Sequence, residues 1–254
     1  MSNKFLFHPA ILKYLGFNEF DLFEYNINKL NTLYPSLLMD FMPNGTLEKA
    51  ISNPIKGWNN TAKLKALLGI SSAIAQMFAF NIIHRDLKTV NILLNQDLEP
   101  IICDFGCARQ VFHTEHEKKT LKGIGSPVYN PPELILETFE EYTYEVDSYA
   151  FGIIMYQILA NVPADDVYPG EKTIANINFL KFDNFVADIP KDWNDVFVNI
   201  IRKCWNVSFN ERLDPPMIFE TLKRAVKSDD HLLPDLDMVS VRDYLKKLPK
   251  IKYV

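Results

Sequence analysis

The sequence predicts an α+β protein in which helices dominate and strands are few and short. Three stretches carry that prediction. Leu64, Leu67, Leu68, Ser71, Ile74, Ala75 and Phe78 recur at helical spacing. Ile153, Ile154, Tyr156, Ile158 and Leu159 make a second helix apolar nearly all round, the pattern of a helix at the centre of a domain. Between them, Leu93-Leu94 runs into Asn95-Gln96-Asp97 and Pro100-Ile101-Ile102-Cys103 comes back, which reads as a hairpin.

Taken in order, His8 to Phe17 comes first, and the apolar run that starts at Leu37 is closed by the strong turn signal Pro43-Asn44-Gly45. Asn18 to Pro35 between them reads as a loop. Asn60 or Thr61 is placed to cap the helix that follows and delivers Ile83 and His84. Trp193, Val196, Phe197, Ile200, Ile201 and Cys204 give another helical face. Asp214 caps the next helix, and Pro215 or Pro216 starts it. Beyond Lys227 the tail turns acidic and then basic, with one short helix expected around Val239 to Lys247 at the periphery.

The chain has 254 residues, 48% hydrophobic and 23% charged, enough for one large domain or two lobes. A net charge of -5 gives no reason to expect nucleic acid or an anionic membrane as partner. Cys103, Cys107 and Cys204 are odd in number and scattered, which fits a reducing compartment without disulfides. Met1 to Phe7 is too short for a signal peptide. The apolar run Tyr149 to Leu159 is shorter than a membrane span. The expected address is the cytoplasm.

Ile83-His84-Arg85-Asp86-Leu87-Lys88-Thr89-Val90-Asn91 puts a carboxylate, an ammonium and an amide close together in the chain, and Asp104-Phe105-Gly106 brings a second carboxylate after the hairpin. Phosphoryl transfer needs such a set, because a hydroxyl must be oriented and phosphate charge offset by metal ions, with no covalent chemistry by the protein. H-R-D-L-K-x-x-N followed by D-F-G resembles the catalytic and metal-binding loops of eukaryotic protein kinases. The resemblance covers about residues 8 to 226. It implies a protein-kinase-like fold: residues 1–42 as a remnant of the β-rich small lobe, 43–227 as a mainly helical large lobe, and 228–254 as a tail.

The resemblance also implies roles. Asp86 would orient the substrate hydroxyl and accept its proton, and Lys88 would neutralise the transferring phosphoryl group. Asn91 and Asp104 would hold Mg²⁺, and with Lys88 the bound ATP. Met39 would back the adenine pocket, with the backbone of Asp40, Phe41 and Met42 bonding the adenine. His84 would pack near Phe105 rather than act as a base. Arg85 would pair with a phosphate in the segment from Cys107 to Pro131, which offers Thr114, Thr120 and Ser126, with Thr120 the first choice of phosphosite. Ser126, in Gly125-Ser126-Pro127-Val128-Tyr129, would reach Asp86 and Lys88. Asp147 would clamp the catalytic-loop backbone, and Glu133 and Arg212 would form a buried ion pair. Lys88, Pro43-Asn44-Gly45 and Cys204-Trp205 resemble the tyrosine-kinase-like branch with Ser/Thr chemistry.

No glycine precedes Gly16, so no G-x-G-x-x-G loop is present to cover phosphates. Lys4 lies too near His8 to be the family's strand-three lysine and reads as a surface charge. The chain is thus expected to be an N-terminally truncated kinase, with Phe5, Phe7, Ile11, Leu12 and Leu15 as an uncovered apolar face that recruits a protein partner. Two functions follow. One is a kinase using Mg²⁺ and ATP on protein Ser/Thr hydroxyls in signalling. The other is a catalytically impaired kinase-like binding module, or a fragment of a longer kinase.

Overall fold

The computed structural model describes residues 7–18, 36–111, 125–135, 143–183, 185–228 and 231–251. Its small part is an antiparallel ribbon of β1 (Tyr14–Asn18) and β2 (Ser36–Met39), in register Tyr14 to Met39 and Phe17 to Leu37. The predicted loop 18–35 lies almost wholly outside the described residues. Ahead of the ribbon, Ile11 pairs in parallel with Ile102; the Leu12 amide donates to the Ile102 carbonyl at 2.8 Å, and the Ile102 amide to Ala10.

This pairing corrects one expectation. Ile11 and Leu12 are 4% and 2% exposed, part of the core and not of an uncovered face. On or beside the ribbon, the apolar side chains of Phe7, Leu15, Phe17, Leu37 and Leu38 stand in solvent. Phe5 lies outside the described residues.

The large part begins with α1 (Leu47–Ser52), capped by the Thr46 hydroxyl accepting from the Lys49 amide. Then comes α2 (Asn60–Ala79), whose cap is Asn59, one residue earlier than expected; its side chain accepts from the Ala62 amide at 3.1 Å. No proline interrupts α2, and the left-handed Asn81 (φ 56°) turns the chain just past its end. Next come β3 (Ile82–Ile83), β4 (Ile92–Leu94), β5 (Pro100–Ile102) and β6 (Arg109–Gln110), in two antiparallel pairs, β3 with β6 and β4 with β5.

α3 (Pro132–Ile135) precedes α4 (Glu145–Ala160), which is buried on nearly every side and ends at the left-handed Asn161. α5 (Ile174–Phe182), α6 (Asp195–Cys204) and α7 (Pro215–Ser228) pack around it and around α2. Asp214 Oδ1 accepts from the Met217 amide at 2.7 Å, so the expected cap and proline start hold. The last helix, α8 (Met238–Lys247), is no loose appendage: Val241 and Tyr244 are buried, and Lys247 pairs with Glu99 of the hairpin at 2.6 Å. Among the described residues, no helix is long and apolar enough to cross a membrane.

Candidate active site

The loop between β3 and β4 is fixed from below by α4. Asp147, 3% exposed, accepts the His84 amide on Oδ2 at 2.7 Å and the Arg85 amide on Oδ1 at 3.0 Å. Burial pushes this carboxyl upward; the His84 ring, the two amides and Arg85 pull it back. Arg85 sits at φ 69°, a left-handed conformation that costs a non-glycine residue about 1–3 kcal/mol and persists only when its surroundings enforce it. The two bonds from Asp147 are that enforcement. Arg85 Nε reaches forward to the Cys107 carbonyl.

On this rigid loop the polar groups converge. Lys88 Nζ lies 2.7 Å from Asp86 Oδ2 and donates to Ser126 Oγ at 3.0 Å. Ser126 Oγ in turn donates to Asp86 Oδ1 at 3.3 Å. Asn91 Nδ2 donates to Asp86 twice, to its carbonyl at 2.9 Å and to Oδ2 at 3.1 Å. Asp86 thus faces a cation, an amide and a hydroxyl while its side chain is 10% exposed.

Asp104 arrives through the hairpin. The amide of its neighbour Cys103 donates to the Asn91 carbonyl at 2.9 Å, and the Cys103 thiol donates to the same oxygen. Asp104 itself is exposed and left-handed (φ 59°), its carboxylate accepting from the Gly106 amide at 3.4 Å. His84 Nε2 bonds the Cys103 carbonyl at 3.1 Å, and its ring centroid is 5.1 Å from that of Phe105. His84 therefore braces the loop that carries Asp104.

The donor set suits a hard cation. The Asn91 amide uses both its protons on Asp86, so oxygen is the end left to coordinate; Asp104 offers a second oxygen. Among the described residues no cluster of three or more His, Cys, Asp or Glu side chains occurs. Mg²⁺ takes one or two protein oxygens and fills its remaining positions with water and phosphate, so Asn91 and Asp104 are the residues that would hold it. For a nucleotide base, β2 ends at Met39, so the main chain of Asp40, Phe41 and Met42 lies beyond the ladder, with Phe41 87% exposed.

Arg212 and Glu133 form a buried, two-pronged pair at 2.6 and 2.8 Å. Thr120 and Thr114 lie outside the described residues. Three features escaped sequence reasoning. Glu48 accepts from the Thr89 hydroxyl, which also meets Tyr129 Oη at 2.7 Å, joining α1 to the loop and to the 126–130 turn. His8 bonds Ser72 on α2 at 3.0 Å. Lys181 of α5 is 1% exposed. None had a sequence signal beyond a polar residue inside an apolar pattern.

A helical lobe that presents two carboxylates, an ammonium and an amide beside a β-ribbon defines a protein kinase domain. Residues 2–222 match the protein kinase domain family, and the chain belongs to it. It is 28% identical over 202 residues to an Acanthamoeba polyphaga mimivirus protein named for a serine/threonine-protein kinase/receptor, covering 77% of this chain and 12% of that one. To the RGS domain-containing serine/threonine-protein kinase A of Dictyostelium discoideum it is 30% identical over 168 residues, 66% of this chain and 14% of that one. To the dual specificity testis-specific protein kinase 2 of Mus musculus it is 25% identical over 237 residues, 92% and 38%. The chain thus spans well under half the length of each.

Proposed function

We propose that this kinase domain transfers the γ-phosphate of ATP to Ser or Thr hydroxyls of proteins, on the tyrosine-kinase-like pattern. The observation that carries the reading is the mutual bonding of Asp86, Lys88, Asn91 and Ser126 on a loop clamped by Asp147. Mg·ATP supplies the transferable group and the metal charge. The rest is the work of side chains. Asp86 orients the incoming hydroxyl and takes its proton. Lys88, bonded to Ser126 on the substrate side, offsets negative charge where phosphate approaches. Asn91 and Asp104 offer oxygens to the metal, and the main chain of Asp40 to Met42 lies where adenine is expected, behind it Met39. Arg85 and Thr120 form the proposed phosphate-regulated pair. Free cysteines support a cytoplasmic address, and the exposed Phe17, Leu37 and Leu38 support a protein partner on the ribbon.

The test is label transfer from Mg·ATP to Ser, Thr and Tyr peptides, with Asp86→Asn beside the parent chain. Loss of a positioned base lowers the rate by about a hundred- to ten-thousandfold. Equal transfer by the two proteins rejects the reading.

A further inference from the structure

The 126–130 turn carries Ser126 at its start, and the Tyr129 and Asn130 amides both donate to the Ser126 carbonyl, at 2.9 and 3.0 Å. Three of its other carbonyls converge on one atom. Lys181 Nζ, brought in by the last turn of α5, donates to the carbonyls of Pro127, Val128 and Asn130, the second at 3.0 Å. Tyr168 Oη donates to Val128 as well, at 3.3 Å. The rings of Tyr149 and Tyr168 lie 5.5 and 5.4 Å from the same Nζ.

A lysine buried at the end of a helix is costly unless its charge is met. Here three acceptors take all three ammonium protons and two aromatic rings flank it. Burial pushes the group down to about 7, Glu133 of α3 raises it and Arg212 lowers it. A neutral amine would have only two protons for the three carbonyls, and Tyr168 is placed to stand in at Val128 alone, so the full set of contacts made here is that of the ammonium.

We propose that Lys181 is a positioning residue for the protein substrate: it ties the 126–130 turn to α5 and so fixes the wall of the cleft against which the substrate chain is held beside Asp86. The chain of contacts is continuous, from Lys181 to the turn, through Ser126 Oγ to Asp86 and Lys88. The proposal rests on the kinase reading above and adds the residue that sets the substrate side. A residue acting there alters binding of peptide, not of nucleotide.

The test compares the parent chain with Lys181→Met and with the milder Tyr168→Phe, which keeps the ring and removes one donor to Val128. For Lys181→Met, the KM for peptide is expected to rise about tenfold, the equivalent of one charge-assisted bond, with the KM for ATP unchanged. Tyr168→Phe should move peptide KM the same way by about twofold, as for part of a neutral bond. Unchanged peptide KM in both, or equal loss in peptide and ATP parameters, overturns the proposal. If Lys181→Met does not fold, Tyr168→Phe alone decides, and an unchanged peptide KM overturns it. If the parent chain transfers no phosphate, the kinase reading fails separately. Amide exchange across 128–130 then decides the tether: faster exchange there in either variant, with the β4–β5 hairpin unchanged, supports it, and unchanged protection overturns it.

Discussion

The pair Arg212–Glu133 offers the sharpest test of how the large lobe is held together. The guanidinium has five N–H groups, and each has an acceptor. Nε donates to the Asn206 carbonyl, Nη1 to Glu133 and Glu145, Nη2 to Glu133 and Val207. The side chain of Arg212 is 0% exposed and that of Glu133 10%, and Arg212 also lies 4.8 Å from the centre of the Tyr149 ring. Glu133→Ala removes the only anion among these partners and leaves a buried cation facing carbonyls. Breaking a buried pair from one side costs about 3–5 kcal/mol. For a chain of this size that corresponds to a drop in Tm of about 6–20 °C. Arg212→Met should cost less, because a stranded carboxylate can take up a proton whereas a guanidinium cannot lose one. The assay is urea unfolding of both single variants and of the double variant, which should be less damaged than the two losses added together. A loss under about 1 kcal/mol in Glu133→Ala, the range of exposed pairs, would refute the reasoning.

Two further outcomes follow from the packing. His8 is buried, its Nδ1 accepting from the Ala10 amide and its Nε2 bonded to Ser72, and burial lowers its pKa from 6.5 to about 3. The unfolded chain therefore binds the extra proton between those values, so this residue's contribution to stability is present above 6.5 and falls as pH drops toward 3, by at most about 1.4 kcal/mol per pH unit. His8→Asn should flatten the fall in urea midpoint between pH 6.5 and 4; an unchanged slope contradicts the assignment. Gly152→Ala would place a Cβ 2.8 Å from Cys204 Cβ and 3.2 Å from the Trp205 amide nitrogen, forcing α4 and α6 apart at a cost of about 1–3 kcal/mol. A rise in the urea midpoint, as expected for alanine in an uncrowded helix, would show that the two helices are not in close contact.

The parts of this molecule that sequence made legible are those specified locally. His84 to Asn91 and Asp104 to Gly106 sit within short windows. The alternation from helix to hairpin is plain in Leu64 to Cys103. What escaped was settled by distant partners. Ile11 and Leu12 look like a free apolar edge until Ile102, some ninety residues on, covers them. Val241 and Tyr244 carry helical spacing, but only the groove beside α2 and the hairpin explains their burial. Lys181 passed without notice because nothing in its neighbourhood along the chain shows that three carbonyls from residues 127–130 await it. The cap of α2 slipped by one residue because Asn59 and Asn60 are chemically equal and only the extended backbone of Asn59 decides between them.

One amide gives the cleft a handedness. Asn91 turns its nitrogen toward the carbonyl and carboxylate of Asp86, and both protons are engaged there. Swapping the two ends of that side chain would set oxygen against oxygen on one flank and present hydrogen to any cation on the other. The flank that carries the Asp86 carboxylate and the flank where the proposed function would seat a cation are therefore joined through a single planar group that fits in one orientation only, so neither can be re-aimed without disturbing its neighbour.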